Sequence, residues 1–234
     1  RRAENDGLRQ SLFERLTLLG APSTMLKTQY RMHPVIREWP SERFYGGELE
    51  DNLDLKERSA PAGFLWPDWD APVAFVPVDG VEDTSPDGAS KQNMDEAGLA
   101  VRIVDMLLSS GDIKPHDIGM VTPYSGQVRL LNDMFDSAGG LEENERYHGL
   151  EIKTIDGYQG REKEVIVLST VRANDTGEIG FLKDQRRLNV AITRAKRGLI
   201  VIGNSRTLRN DSNWESWCDW VSERGLEAYH VLHM

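Results

Sequence analysis

The sequence predicts an α/β fold, a parallel sheet with helices on both faces. Three observations lead there. Short continuous apolar runs recur along the chain, amphipathic helical stretches alternate with them, and the length is ample for a core. The chain has 234 residues, 39% hydrophobic and 28% charged. That balance excludes a disordered tail, a collagen and a disulfide-stapled miniprotein. No run approaches the roughly 18 apolar residues that span a bilayer, and no charged-then-apolar leader is visible. The one cysteine, Cys218, allows neither an internal disulfide nor a cysteine zinc site. His33, His116, His148, His230 and His233 show no metal-ligand spacing. An intracellular protein, cytoplasmic or nuclear, is expected. The opening Arg1-Arg2-Ala3-Glu4-Asn5 reads as part of a longer polypeptide.

Taken in order, strands are expected at 25–28, 73–78, 118–122, 165–170 and 199–202, from their apolar runs. Helices are expected near 94–109, 125–136 and 186–197. Asn93 suits an N-cap with Glu96 as its capping-box partner, and Ala97, Ala100, Val101, Val104, Leu107 and Leu108 follow helical spacing up to Gly111. In 186–197 the stripe is Leu188, Ala191, Ile192 and Ala195, closed by Gly198. At about 100° per residue, Arg187 and Arg194 would fall roughly 20° apart on one face of that helix. Residues 79–92 and 137–148 are rich in turn formers and read as loops. Trp214, Trp217 and Trp220 are spaced as a packing face, either of this domain or toward an absent one.

Net charge is -10, which argues against a nonspecific nucleic-acid binder taken whole. The distribution is uneven. Residues 151–210 hold 12 Lys and Arg against 7 Asp and Glu, whereas residues 41–96 hold 14 acidic and 4 basic residues. A basic segment on an acidic body points to a local anion site that the overall charge hides.

Four segments carry candidate chemistry, and in a parallel sheet they are expected just after strands, at the carboxyl ends where ligands gather. Gln29-Tyr30-Arg31-Met32-His33-Pro34 sets an aromatic ring beside a guanidinium, a unit for a base plus a phosphate; a covered helix end fits as well. Thr122-Pro123-Tyr124-Ser125-Gly126-Gln127 offers neutral donors at a strand end, for a phosphate backbone or for ordinary capping. The segment from Thr154 to Lys163 crowds Gln159, Arg161, Glu162 and Lys163 into one loop with two glycines, as a site or as a solvated charged loop. Arg186 to Arg197 carries the two arginines, which fit either a transition-state role or a basic surface helix.

Together and in this order, Gln-Tyr-Arg-Met-His-Pro, Thr-Pro-Tyr-x-x-Gln, Asp-x-x-Gln-Gly-Arg-Glu and Arg-Arg-Leu-Asn-Val-Ala-x-Thr-Arg-Ala resemble the later motifs of superfamily 1 helicases. The group they resemble is the up-frameshift, nonsense-mediated-decay type, with its senataxin-like and immunoglobulin-mu-binding-protein-like relatives. Val171-Arg172-Ala173-Asn174 and Ile179-Gly180-Phe181-Leu182 match it too, and the resemblance runs over about 7–203. It implies two RecA-like domains with ATP in the cleft between them and a single strand of nucleic acid across the top. Residues 1–234 would be one C-terminal RecA-like (AAA-type) domain, the second motor domain.

By that resemblance Tyr30 stacks on the adenine, Arg31 and Arg194 contact the γ-phosphate with Arg194 as the arginine finger, and Glu162 holds the ribose hydroxyls. Gln159 helps sense the nucleotide and Arg187 supports. Thr122 and Thr154 touch the nucleic-acid backbone, and Tyr124 and Gln127 shape that groove. The sequence has no Gly-x-x-x-x-Gly-Lys-Ser/Thr loop. The Walker A and B elements, and with them the Mg2+ ligands, are therefore expected in the first RecA-like domain, outside this chain. The chain alone is expected to be inactive. In the whole protein the expected activity is ATP hydrolysis coupled to 5′ to 3′ translocation and unwinding, on RNA in surveillance and decay. The alternatives are a DNA repair or replication helicase and a non-hydrolysing nucleic-acid or partner-binding module.

Overall fold

A computed structural model describes residues 12–52, 58–138 and 146–233 of the chain. The opening five residues, the start of the motif resemblance near residue 7 and most of the 137–148 loop lie outside them.

Helix α1 (Leu12–Leu18) leads to strand β1 (Thr28–Gln29), helix α2 (Pro34–Tyr45) and strand β2 (Glu50–Asp51). Next come β3 (Val73–Pro77), the hairpin β4 (Asp83–Thr84) and β5 (Lys91–Gln92), α3 (Met94–Ser109), β6 (Ile118–Thr122) and α4 (Ser125–Ala138). The chain continues as β7 (Glu151–Thr154), β8 (Lys163–Ser169), α5 (Gln185–Ile192), β9 (Ala195–Gly203), α6 (Ser205–Leu208) and α7 (Ser212–Glu223). The central sheet has five strands in the order β3-β9-β8-β6-β7, and every pairing is parallel.

Strand residues alternate between two cores, which is why their sequences read as unbroken apolar runs. Phe75, Val121, Ile166, Leu168, Leu199 and Val201 pack with Ile36 of α2, Leu188 of α5 and Trp214 and Trp217 of α7. Val76, Met120, Val165, Val167, Ile200 and Ile202 pack with Ala97, Ile103 and Leu107 of α3 and Leu131 of α4. Each such side chain contributes ~1.5–3 kcal/mol of burial. The α/β expectation with helices on both faces is thus met. The tryptophans face this domain's own core, with Trp220 at its margin. Gly119 in β6 is required, since a Cβ there would collide with the Tyr158 hydroxyl.

Three local expectations are corrected. The helix expected over 186–197 stops at Ile192, where Thr193 caps it by returning both its N–H and its hydroxyl to the Asn189 carbonyl. Ala195-Lys196-Arg197 instead open β9, because pairing with β8 outweighs helical spacing. The strand expected at 25–28 shrinks to β1, paired only with β2. Asn93 does cap α3 by accepting from the Glu96 N–H, but the Glu96 side chain turns away into the core and the Asn93 N–H goes to Gln127 Oε1.

Candidate nucleotide cleft and strand-binding edge

The turn that presents Tyr30 and Arg31 is built by Gln29. Its Oε1 accepts from the N–H groups of Arg31 and Met32, and its Nε2 donates to the Met32 carbonyl and to Asp51. His33 then caps α2, its Nδ1 accepting from the Val35 N–H, with Pro34 in the first helical position. The His33 N–H donates to the Lys196 carbonyl at 2.7 Å, which ties this turn to the start of β9. Burial pushes the His33 imidazole below its ordinary value, against the pull of Asp51 and Asp70.

This anchoring brings Arg31 onto Glu162 and the turn before β9. Arg31 Nε donates to Glu162 Oε2 at 2.6 Å and its NH1 group to the Thr193 carbonyl at 3.2 Å. The Arg31 guanidinium, and then Lys196, hold the Glu162 carboxyl below the usual carboxylate range. Arg194 sits in the same place, donating to the Val190 carbonyl and the Thr193 hydroxyl, both at 3.1 Å. Among the described residues it has no carboxylate partner. Its pKa is lowered, by burial first and by the nearby Arg31 charge second, against the pull of Glu162. A half-desolvated cation beside another cation favours an anion. The Tyr30 ring, next to Arg31, is 63% exposed and open to stacking.

Gln159 and Arg187 lie beside this cluster. They line a groove of about 260 Å3 with Asp156 and with Val190, whose carbonyl holds Arg194. Arg187 is bound by Asp156 through two hydrogen bonds, 2.9 and 2.8 Å, and lies over the Phe181 ring. Arg194 lies beyond the end of α5, so the shared helix face expected for the two arginines does not exist. Lys196, which bridges Glu162 and Glu164 at 3.4 and 3.3 Å, is a site residue that the motifs do not single out. Its place beside Arg194 in a strand-opening run is the one signal the sequence offers.

The second group gathers elsewhere. Thr122 and Thr154 are register partners at the carboxyl ends of β6 and β7. Arg31, Glu162 and Arg194 sit at the amino ends of β8 and β9, about 20 Å away along seven strand residues. The segment 155–162 makes the difference, since it runs from the carboxyl end of β7 back to the amino end of β8. The expectation that all four segments meet at the carboxyl ends is corrected accordingly. Thr154 is half-buried and accepts from the Gly157 N–H. Thr122 is fully buried and its Oγ1 has no partner among the described residues. Tyr124 and Gln127 lie inside the fold. The Tyr124 hydroxyl accepts from Arg172, and Gln127 bonds Asn93 and Ser169. Among the described residues no group of three His, Cys, Asp or Glu side chains is placed to hold a metal, and no helix is long and apolar enough to cross a membrane.

The parallel α/β sheet thus carries two separate candidate surfaces, Arg31, Glu162 and Arg194 at the amino ends of β8 and β9 and Thr154 at the carboxyl end of β7. Residues 8–206 match the family model described as "AAA domain". The chain is 40% identical over 224 residues to the regulator of nonsense transcripts 1 homolog of Drosophila melanogaster, covering 96% of this chain and 19% of that protein. It is 42% identical over 226 residues to the ATP-dependent helicase NAM7 of Saccharomyces cerevisiae, covering 96% of this chain and 23% of that protein. Among solved structures, the C-terminal domain of a possible DNA helicase from Lactobacillus (strain WCFS1) aligns at a TM-score of 0.41 with 12% identity, over 75% of this chain and 88% of that one. The chain belongs to the AAA domain family, as a superfamily 1 helicase domain of the nonsense-mediated-decay type. It spans about a fifth of the length of these curated relatives.

Proposed function

We propose that this chain is the second motor domain of an ATP-dependent helicase and supplies half of a composite nucleotide cleft. The observation that carries the reading is Arg194, a half-buried guanidinium whose hydrogen bonds among the described residues go to neutral acceptors and which lies near Arg31. Such a group is oriented before any anion arrives, as charge compensation at a transferring phosphoryl group requires. In this reading Arg194 is the finger, Arg31 a second phosphate contact, Glu162 the ribose acceptor and Tyr30 the stacking platform. Gln159 senses the nucleotide and Arg187 supports the groove beside it. ATP hydrolysis would supply the energy for the motor. The first RecA-like domain would bring the phosphate loop and the Mg2+ ligands. Thr154 would line the track for single-stranded nucleic acid at the opposite end of the sheet, backed from inside the fold by the buried Thr122, Tyr124 and Gln127.

The names of the relatives, regulators of nonsense transcripts, favour RNA as the strand and RNA decay as the setting. Movement from 5′ to 3′ rests on the resemblance alone. The test is Arg194→Ala in the full-length polypeptide, with RNA-stimulated phosphate release and binding of a fluorescent ATP analogue measured side by side. Turnover should fall about 10³-fold or more with analogue binding retained. An unchanged rate would remove the finger assignment.

A further inference from the structure

Val171 is the one non-glycine residue with positive φ among the described residues, at 70°. A β-branched residue adopts that conformation only when its surroundings impose it. Here both of its backbone groups are gripped from the start of α3. The Val171 N–H donates to Glu96 Oε2 at 2.9 Å, and its carbonyl accepts from Asn93 Nδ2 at 3.2 Å. Glu96 Oε2 also accepts from the Ser169 hydroxyl at 2.6 Å, and Ser169 is the last residue of β8. Glu96 is fully buried, and burial raises its carboxyl to about 7 against the hydrogen bonds from Ser169 and from the Val171 and Thr170 backbone. Such burial is costly to a carboxyl unless the bonds it makes are needed.

The path of the chain beyond Val171 depends on this bend. Arg172, buried, donates to Glu82 at 2.7 Å and to the Tyr124 hydroxyl at 3.1 Å. Glu82 also takes the Ala173 N–H and Asn174 Nδ2. Residues 173–177 then form one wall of a groove of about 660 Å3 at the carboxyl end of the sheet. Two acidic side chains, Glu96 at the bend and Glu82 just beyond it, thus fix how the chain leaves β8.

We propose that Glu96 is a positioning residue, which holds Val171 in its left-handed conformation and thereby sets residues 172–177 as a preformed surface for the single strand. This rests on the motor reading above, since it assigns the strand to the carboxyl end of the sheet. Glu96 touches neither nucleotide nor strand in this scheme. A glutamine could still accept both bonds through Oε1, whereas an alanine could accept neither. A glycine at 171 would adopt the bend without the grip.

The experiment uses the full-length polypeptide, a fluorescent single-stranded oligouridine and a fluorescent ATP analogue. Glu96→Ala should raise the RNA Kd at least tenfold and leave the analogue Kd within twofold. Glu96→Gln, and separately Glu96→Ala combined with Val171→Gly, should recover most of the RNA affinity. An unchanged RNA Kd in a folded Glu96→Ala protein would overturn the proposal. So would parallel loss of both ligands without recovery in either rescue variant. If Glu96→Ala does not fold, Ser169→Ala carries the test, with the same selective loss expected and unchanged RNA affinity overturning it. A parent protein that binds neither ligand would overturn the motor reading as well. A parent that binds both, with indifferent variants, would sink this inference alone.

Discussion

Arg31 and Glu162 approach to 2.6 Å with a third or more of each side chain still exposed. Solvent screening leaves such a pair worth ~0–1 kcal/mol to the fold. Its geometry nevertheless keeps a carboxylate between Lys196 and Arg31, beside a second guanidinium at Arg194. Glu162→Ala should therefore cost less than about 1 kcal/mol in urea unfolding, while analogue binding by the full-length protein weakens. A stability loss of several kcal/mol would show that the pair is structural first. At this scale the sequence is informative about identity and silent about aim. It singles out Arg187 and Arg194 together, yet Asp156 and Phe181 hold Arg187 while Val190 and Thr193 hold Arg194. Nothing near either arginine in the chain announces those partners.

Among the elements, α2 has its entry fixed by an imidazole used as an acceptor. An imidazole can do this only when neutral. Burial holds the folded-state value of His33 below the unfolded value of about 6.5. The stability that depends on the neutral ring is thus present above about 6.5 and is lost as pH falls through the lowered folded value. His33→Asn keeps a capping acceptor and removes the titration. Urea midpoints measured from pH 8 to pH 5 should decline more steeply for the parent than for this variant, and parallel slopes would refute the role. The elements also show what a residue pattern resolves. The strand at 118–122 is legible to the residue, because both of its faces are covered. β7, at 151–154, is not, because it is a half-exposed edge strand, Glu-Ile-Lys-Thr, with no apolar run. The end of α5 is ambiguous in sequence because Ala195 satisfies a helical stripe and a buried strand equally well.

For the whole molecule, the two candidate surfaces stand at opposite ends of β8 and share the same packed sheet. A shift of β8 against its neighbours would be felt at both. The chain by itself lacks the loop that cradles phosphates. The purified 234 residues should release phosphate from ATP at the background rate, with or without RNA. Robust turnover by this chain alone would show that the cleft is not composite.

The sequence by itself determined the class of fold, most of the central strands and the membership of Tyr30, Arg31, Glu162 and Arg194 in ordered motifs. Those properties are local: burial on both sheet faces writes apolar runs, and spacing writes helices. The tertiary structure alone decided that Arg31, Glu162 and Arg194 meet at the amino ends of β8 and β9 while Thr122 and Thr154 stand at the carboxyl ends of β6 and β7. It also turned Glu96 from a cap into the holder of Val171. Contacts between residues 75 to 162 positions apart depend on strand order and register, and neither is encoded in any window of neighbouring residues.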